Sequence, residues 1–323
     1  MLSRTAAGLF WMSRYVERMD FIARLLDAGR RLDALPRQEG APLSEWTSVV
    51  IASGSSGTFP TDPEAAVAKT VSEYLIRDET NPSSIIACIE AARYNAKSVR
   101  TALTSEVWEA INQTHAELKL DLALELDRTN LSAFLDKVRA RSILIGGAVA
   151  ETMLRNDRHG FVQLGKWFER ADSTARLLDV KYHVLLPRVS DVGGGLDYLQ
   201  WLQILRAANS AGAFRQTYGR NLDAEGVVDL LVLNSDSPRS LRTALSHIYG
   251  ELVALTSDQN PQQTALLQRG RSDYTALMDL TTGDVFAKGL HEWLTQFIMD
   301  TNNRAVETAN AFGFGTDDVT ANS

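Results

Sequence analysis

Glu17, Asp20, Arg24 and Asp27 stand at spacings of three and four residues, and the same four side chains return as Glu169, Asp172, Arg176 and Asp179. On a helix such spacings bring neighbours together along one stripe. Three chemistries suit carboxylates and arginines set out this way. They could do acid–base work while clamping a substrate carboxylate. They could hold a metal between facing helices, or form a charge network that fixes packing. Metal is the poorest of the three. Carboxylate-bridged bundles also use Glu-x-x-His pairs. None of His115, His159, His183, His247 or His291 stands three residues after a glutamate, and Arg24 and Arg176 would repel a cation. No metal is expected.

The stripe belongs to a longer repeat. "SRYVERMDFIARLLD" at 13–27 and "GKWFERADSTARLLD" at 165–179 agree at Glu17/Glu169, Arg18/Arg170, Asp20/Asp172, Ala23/Ala175, Arg24/Arg176, Leu25/Leu177, Leu26/Leu178 and Asp27/Asp179. A second landmark shares nearly the same offset: Asn81-Pro82-Ser83-Ser84 and Ser237-Pro238-Arg239-Ser240 both read as helix starts, with a capping hydroxyl and an early proline. Two landmarks with one period indicate a tandem duplication. Two copies are too few for a solenoid, so the expected product is a pseudo-twofold pair of helical bundles.

The repeated segment must be a helix. At 100° per residue, Met12, Tyr15, Val16, Met19, Ile22, Ala23 and Leu26 share an arc, as do Leu164, Trp167, Phe168, Ala171, Thr174, Ala175 and Leu178. That arc is the expected core face, with the charged stripe beside it over roughly 80°. Arg18 and Arg170 are expected on another side, near Leu25 and Leu177. Core positions have drifted between the copies, as at Met19/Ala171 and Phe21/Ser173, whereas every stripe position keeps its side chain. A solvated ladder tolerates Asp for Glu or Lys for Arg. Retained identity therefore favours a buried Arg–carboxylate network over a ligand or partner site, and either over a solvated face.

Composition sets the remaining bounds. The chain has 323 residues, 45% apolar and 23% charged, with eight prolines and long Ala/Leu/Glu/Arg segments. This predicts an all-α helical bundle, with long helices near 8–34, 83–103, 105–128, 131–155, 160–186, 238–257 and 284–311. The halves are expected at 1–155 and 156–314 within one integrated body, followed by a disordered tail at 315–323. Loops are expected at 35–46, 53–63 and 188–198. A net charge of −7 argues against a nucleic-acid or anionic-membrane binder. No apolar stretch is long enough to span a membrane, and no signal-peptide core is evident. Cys88 is the lone cysteine, in an apolar helical context, so it reads as a buried small hydrophobe in a reducing, cytoplasmic setting. Nothing implies a cofactor: "GSSGT" at 54–58 lacks the lysine of a phosphate loop, and there is no nucleophile elbow or His-Glu-x-x-His. Arg93, Arg100, Arg239 and Arg242, in the two proline-led helices, read as salt-bridged or solvated before they read as an anion site. The six tryptophans, one per element, read as core anchors.

Four stretches together resemble the bacterial alpha-E domain family: "LFWMSRYVERMDFIARLLD", "NPSSIIACIEAARYNAKSVRTALTSEVWEAIN" at 81–112, "HGFVQLGKWFERADSTARLLD" at 159–179 and "LLVLNSDSPRSLRTAL" at 230–245. The resemblance runs to about residue 312. It implies an all-helical body with a repeated Glu-Arg motif, here Glu17-Arg18 and Glu169-Arg170. It further implies company: circularly permuted ATP-grasp enzymes, with transglutaminase-like peptidases and proteasome-like amidohydrolases nearby. The family supplies no catalytic residues to carry over. The leading expectation is thus a non-catalytic helical partner or scaffold of an ATP-grasp-type amide ligase. The alternatives are an enzyme acting on an amino acid or small peptide through the Glu/Asp/Arg stripes, and a stand-alone helical interaction protein.

Overall fold

A computed structural model describes residues 1–35, 44–62, 65–122, 128–184 and 194–315. These are helical, with no strand among them. The helices are α1 (Ser3–Asp33), α2 (Glu45–Ala52), α3 (Ala68–Ile76), α4 (Ile85–Ser98), α5 (Ser105–Leu122), α6 (Arg128–Thr152) and α7 (Asp157–Val184). There follow α8 (Gly195–Ala207), α9 (Ala211–Tyr218), α10 (Ala224–Val228), α11 (Leu241–Leu255), α12 (Pro261–Met278), α13 (Thr282–Lys288) and α14 (Leu290–Ala311). Parts of the expected loops, and residues 316–323 of the expected tail, lie outside the described residues.

The two helices carrying the repeat, α1 and α7, pack against each other at the centre. Their crossing is tight because α7 presents Gly165 there: a Cβ on it would lie 2.1 Å from the Phe10 carbonyl oxygen. Only a residue without a side chain allows that backbone approach. The other helices surround this pair. α4 and α6 pack on α1 and are bridged by α5, whereas α11 and α14 pack on α7 and are bridged by α12. α2 and α8 each touch both central helices.

Wrapping changes what α1 looks like. From Ala6 to Gly29 every residue is buried except Arg18, which is partly so. The expected core face is indeed inside, with Met12, Met19, Ile22, Ala23 and Leu26 all buried. The opposite faces are inside as well, because α4 and α6 cover them. The amphipathic reading is therefore corrected, since α1 is a central helix buried all round; its charged stripe lies in the interior, as the favoured buried network requires.

Both proline-led starts are capped as anticipated. Ser84 Oγ accepts from the Ala87 amide at 3.2 Å and Ser240 Oγ from the Thr243 amide at 3.0 Å. Boundaries moved where turn chemistry intervened. The expected helix at 284–311 is two helices, because Gly289 takes φ +90° between α13 and α14. The expected 83–103 ends at Ser98 and closes in a 3₁₀ turn over Arg100–Ala102. Trp11, Trp46, Trp167 and Trp201 are buried core anchors. Cys88 is fully buried, and burial pushes its thiol up to about 12.

Candidate functional site

The two Glu-Arg motifs meet at the α1–α7 contact and exchange partners. Arg170 of α7 donates through Nε and Nη2 to the two oxygens of Glu17, at 2.7 and 2.8 Å. Arg18 of α1 donates to the two oxygens of Glu169, at 2.6 and 3.2 Å. Each is the forked, two-bond geometry that an arginine offers a carboxylate. Glu17 and Glu169 are 5% and 2% exposed, so neither carboxylate is left to water. The reading that set Arg18 and Arg170 on another side near Leu25 and Leu177 is corrected here. A guanidinium at the end of three methylenes reaches around its own helix, which a projection of Cβ directions misses.

A second guanidinium completes each pair, from a different place each time. On the Glu169 side it is Arg14, one turn before Arg18, whose Nε donates to Oε2 at 2.8 Å. On the Glu17 side it is Arg239, beside the start of α11, with Nη1 3.7 Å from Glu17 Oε1. Arg239 also donates to Asp20 Oδ2 at 2.8 Å, an oxygen that Arg24 reaches at 2.6 Å. The equivalents are revealing. Arg14 corresponds to Lys166 and Arg239 to Ser83, so each side lacks the second guanidinium that the other uses.

Electrostatics follow from that geometry. Burial alone would raise the Glu17 carboxyl, but the charge and hydrogen bonds of Arg170, with Arg239 behind, bring it down to about 2. Glu169 likewise resists burial and falls to about 2 because Arg18 and Arg14 hold it. Carboxylates held this way are permanently ionised at neutral pH and have no proton to give or take. Their lone pairs are already capped by guanidiniums, which leaves poor metal ligands. Among the described residues no cluster of His, Cys, Asp and Glu is arranged to hold a metal ion.

The remaining stripe residues spread along the two helices. Asp172 accepts from Arg176 Nε at 2.7 Å and from Asn302 Nδ2 at 2.9 Å. Arg24 also donates to the Ala207 carbonyl at 2.9 Å, tying α1 to the end of α8. Arg176 packs its guanidinium over Gly54, at the end of α2, where a Cβ would sit 3.1 Å from Nη1. Asp27 is ten residues beyond Glu17, roughly 15 Å along the helix, and binds Arg30, Arg31 and Arg139 instead. Asp179 pairs with His291 Nδ1 at 2.7 Å. Of the ten expected residues, Glu17, Arg18, Asp20, Arg24, Glu169 and Arg170 thus belong to the central clasp, while Asp172 with Arg176, Asp27 and Asp179 form three outlying groups. Arg14, Asn302 and Arg139 were missed. Arg239, expected to be salt-bridged or solvated, is salt-bridged to Asp20 and Glu17.

Cavities flank the clasp. One of about 330 Å³ opens beside Glu169 and is lined by Trp11, Arg14, Arg18, Ser83, Arg176 and Asn302. A smaller one of about 200 Å³ lies beside Glu17, Asp20, Lys166, Arg170 and Arg239. In the larger, Arg14 and Arg176 each use only Nε on a carboxylate, so their terminal amino groups have no acceptor among the described residues.

Comparison with known proteins gives a family and no chemistry. Residues 1–312 match the Alpha-E family, described as "a predicted alpha-helical domain with a conserved ER motif". Uncharacterised proteins of Mycobacterium bovis and Mycobacterium tuberculosis are 24% identical over 268 residues, covering 78% of this chain. The matched region is 30% of each of those proteins, so the chain spans well under half the length of the curated relatives it matches. No solved structure matches it significantly.

Proposed function

Because the chain belongs to the Alpha-E family, we propose that it is a non-catalytic helical partner of an ATP-grasp-type amide ligase, acting in the cytoplasm as a scaffold or substrate-presenting subunit. A transglutaminase-like protein is a further companion on this reading. The observation that carries it is the state of the motif itself. Both Glu-Arg pairs are engaged with each other across α1 and α7, ionised and capped, so the motif supports a body rather than a reaction. The length of the relatives points the same way, since there the matched region is a minority of a longer polypeptide. A body of this kind contributes position and surface to chemistry done by other polypeptide.

The same reading includes the origin of the body. The duplication and its pseudo-twofold arrangement are proposed from the reciprocal exchange of Glu-Arg partners and the matching caps at Ser84 and Ser240. The parallel packing of α4, α5 and α6 around α1, and of α11, α12 and α14 around α7, supports it. A continuous apolar core running through both helices supports treating 1–155 and 156–314 as halves of one unit.

The test is recovery of the ligase. Affinity purification of the tagged chain from its host should bring down an ATP-grasp protein, and deleting the chain should reduce that ligase's amide-forming activity. Recovery of no ligase, with activity unchanged on deletion, would sink the proposal. A second reading, an enzyme acting on an amino acid or small peptide, is favoured by one feature: unused guanidinium donors of Arg14 and Arg176 beside the larger cavity. It requires Arg176→Gln to abolish turnover of such a substrate while the melting temperature holds.

A further inference from the structure

A second arginine cluster lies away from the clasp, between α1, α6 and the α8–α9 turn. Arg24, Arg31, Arg139 and Arg206 line a cavity of about 490 Å³ together with Asn209, Ala211 and Gly212, and no carboxylate lines it. In a chain of net charge −7 this is a marked local reversal. The charges behind the wall do not cancel it. Asp27 is shared by Arg30, Arg31 and Arg139, Asp136 pairs with Arg139, and Asp20 holds Arg24. Five guanidiniums (Arg24, Arg30, Arg31, Arg139 and Arg206) therefore meet three carboxylates, an excess of two positive charges. Arg206 is exposed, and its one hydrogen bond is a long one of 3.4 Å to Gln203.

The backbone adds donors to the same space. α9 begins at Ala211, and its N-cap residue Ser210 makes no cap: the hydroxyl turns back to the Ala208 carbonyl at 3.2 Å. The first-turn amides are left for another acceptor, at the end of the helix where the dipole favours negative charge. Space for that acceptor exists, because a Cβ built on Gly212 would meet nothing within 4 Å. Asn209 at φ +55° makes the sharp turn that sets α9 across from α1.

We propose that this cavity binds a phosphate group, with Arg206, Arg31, Arg139 and the α9 amides as its donors and Arg24 as a buried wall. Two excess charges match a phosphate dianion better than a carboxylate, and forked guanidinium donors suit its oxygens. The phosphate is either free or part of a nucleotide. The exposed Ile143 at the rim gives an apolar surface that a nucleoside would cover and inorganic phosphate would not.

The lining residues all come from this chain, so the test uses the purified full chain alone. Titration calorimetry with inorganic pyrophosphate at low ionic strength should show one saturable site. Arg206→Ser should weaken it about tenfold or more, the scale of one lost charge-assisted contact. Gly212→Asp should remove it by placing a carboxylate against the α9 amides. Both positions are on the surface, so both variants should melt with the parent chain. ADP binding more tightly than pyrophosphate identifies a nucleotide phosphate. Equal binding identifies the free anion. No saturable binding of either ligand, or binding by both variants as strong as the parent's, would overturn the proposal.

Discussion

The two sides of the α1–α7 contact begin from the same residues and finish differently. On one side Glu17 receives Arg170 and is backed by Arg239, an arginine delivered from outside the central pair at the start of α11. On the other Glu169 receives Arg18 and is backed by Arg14, from the same helix one turn earlier. Where one side has Arg239 the other has Ser83, and where one has Arg14 the other has Lys166. A buried carboxylate between two helices demands more than one cation, and the two sides meet that demand by separate routes. The route has a spatial consequence. Using Arg14 leaves the α4 side open at Ser83, where the larger cavity lies. Using Arg239 fills the corresponding α11 side and leaves Lys166 half-buried among Arg170 and Arg239.

This contrast can be pressed from both ends, and the largest effect is expected at Glu169. Glu169→Gln strands Arg14 and Arg18 together, and should cost about 3–5 kcal/mol in urea unfolding. Glu17→Gln should cost less, because Arg239 keeps Asp20. Equal losses would mean that the second guanidinium on each side is idle. Acid provides the same comparison without mutation. Both carboxyls sit near 2 when folded against an ordinary 4.5, so the unfolded chain binds more protons between those values. Stability is complete above about pH 4.5 and should drain as pH falls toward 2; each Gln variant should flatten that slope.

Smaller effects test the frame around the pairs. Gly165→Ala forces a Cβ against the Phe10 carbonyl and should cost about 1–3 kcal/mol, whereas Ser13→Ala, at the matching position of α1, should cost less than 1. Arg239→Ser makes the Glu17 side resemble the Glu169 side without supplying an Arg14. A loss of about 1.5–3 kcal/mol is expected, the scale of hydrogen bonds to charged groups. Lys166→Met should sit at the bottom of the series, within about 0.5 kcal/mol of the parent or above it. Burial and the neighbouring Arg170 hold the Lys166 ammonium below its usual range against the attraction of Glu17, so its charge adds no net stability.

Much of this was legible in the chain, and the parts that were not have physical reasons. Helical class follows from long Ala/Leu/Arg segments, and the α4 and α11 starts follow from Pro82-Ser83-Ser84 and Pro238-Arg239-Ser240. The charged stripe was found because its side chains stayed identical while neighbours drifted. Its pairs within one helix, Asp20–Arg24 and Asp172–Arg176, follow from the four-residue spacing. Its partners on the other helix were not found, because a helical projection shows directions at Cβ, and arginine reaches well past that. Arg14 was hidden for another reason: its equivalent is Lys166, so the repeat that exposed Glu17 and Glu169 erased it. Burial of the stripe was expected from its retained identity, but burial of α1 on its remaining side was hidden, because a helix that long normally keeps one solvated face. The cluster at Arg24, Arg31, Arg139 and Arg206 is assembled from α1, α6 and α8 by packing alone, and no local spacing announces it.

The central claim is that the Glu-Arg motifs are a mutual buried clasp between α1 and α7, and a double-mutant cycle on Glu17 and Arg170 tests it most directly. Glu17→Gln, Arg170→Met and the pair together would be unfolded in urea at neutral pH. The account predicts a coupling of about 2 kcal/mol or more, with the double variant more stable than the single variants' losses would sum to. A coupling below about 0.5 kcal/mol is the size of an exposed ion pair, and would contradict it.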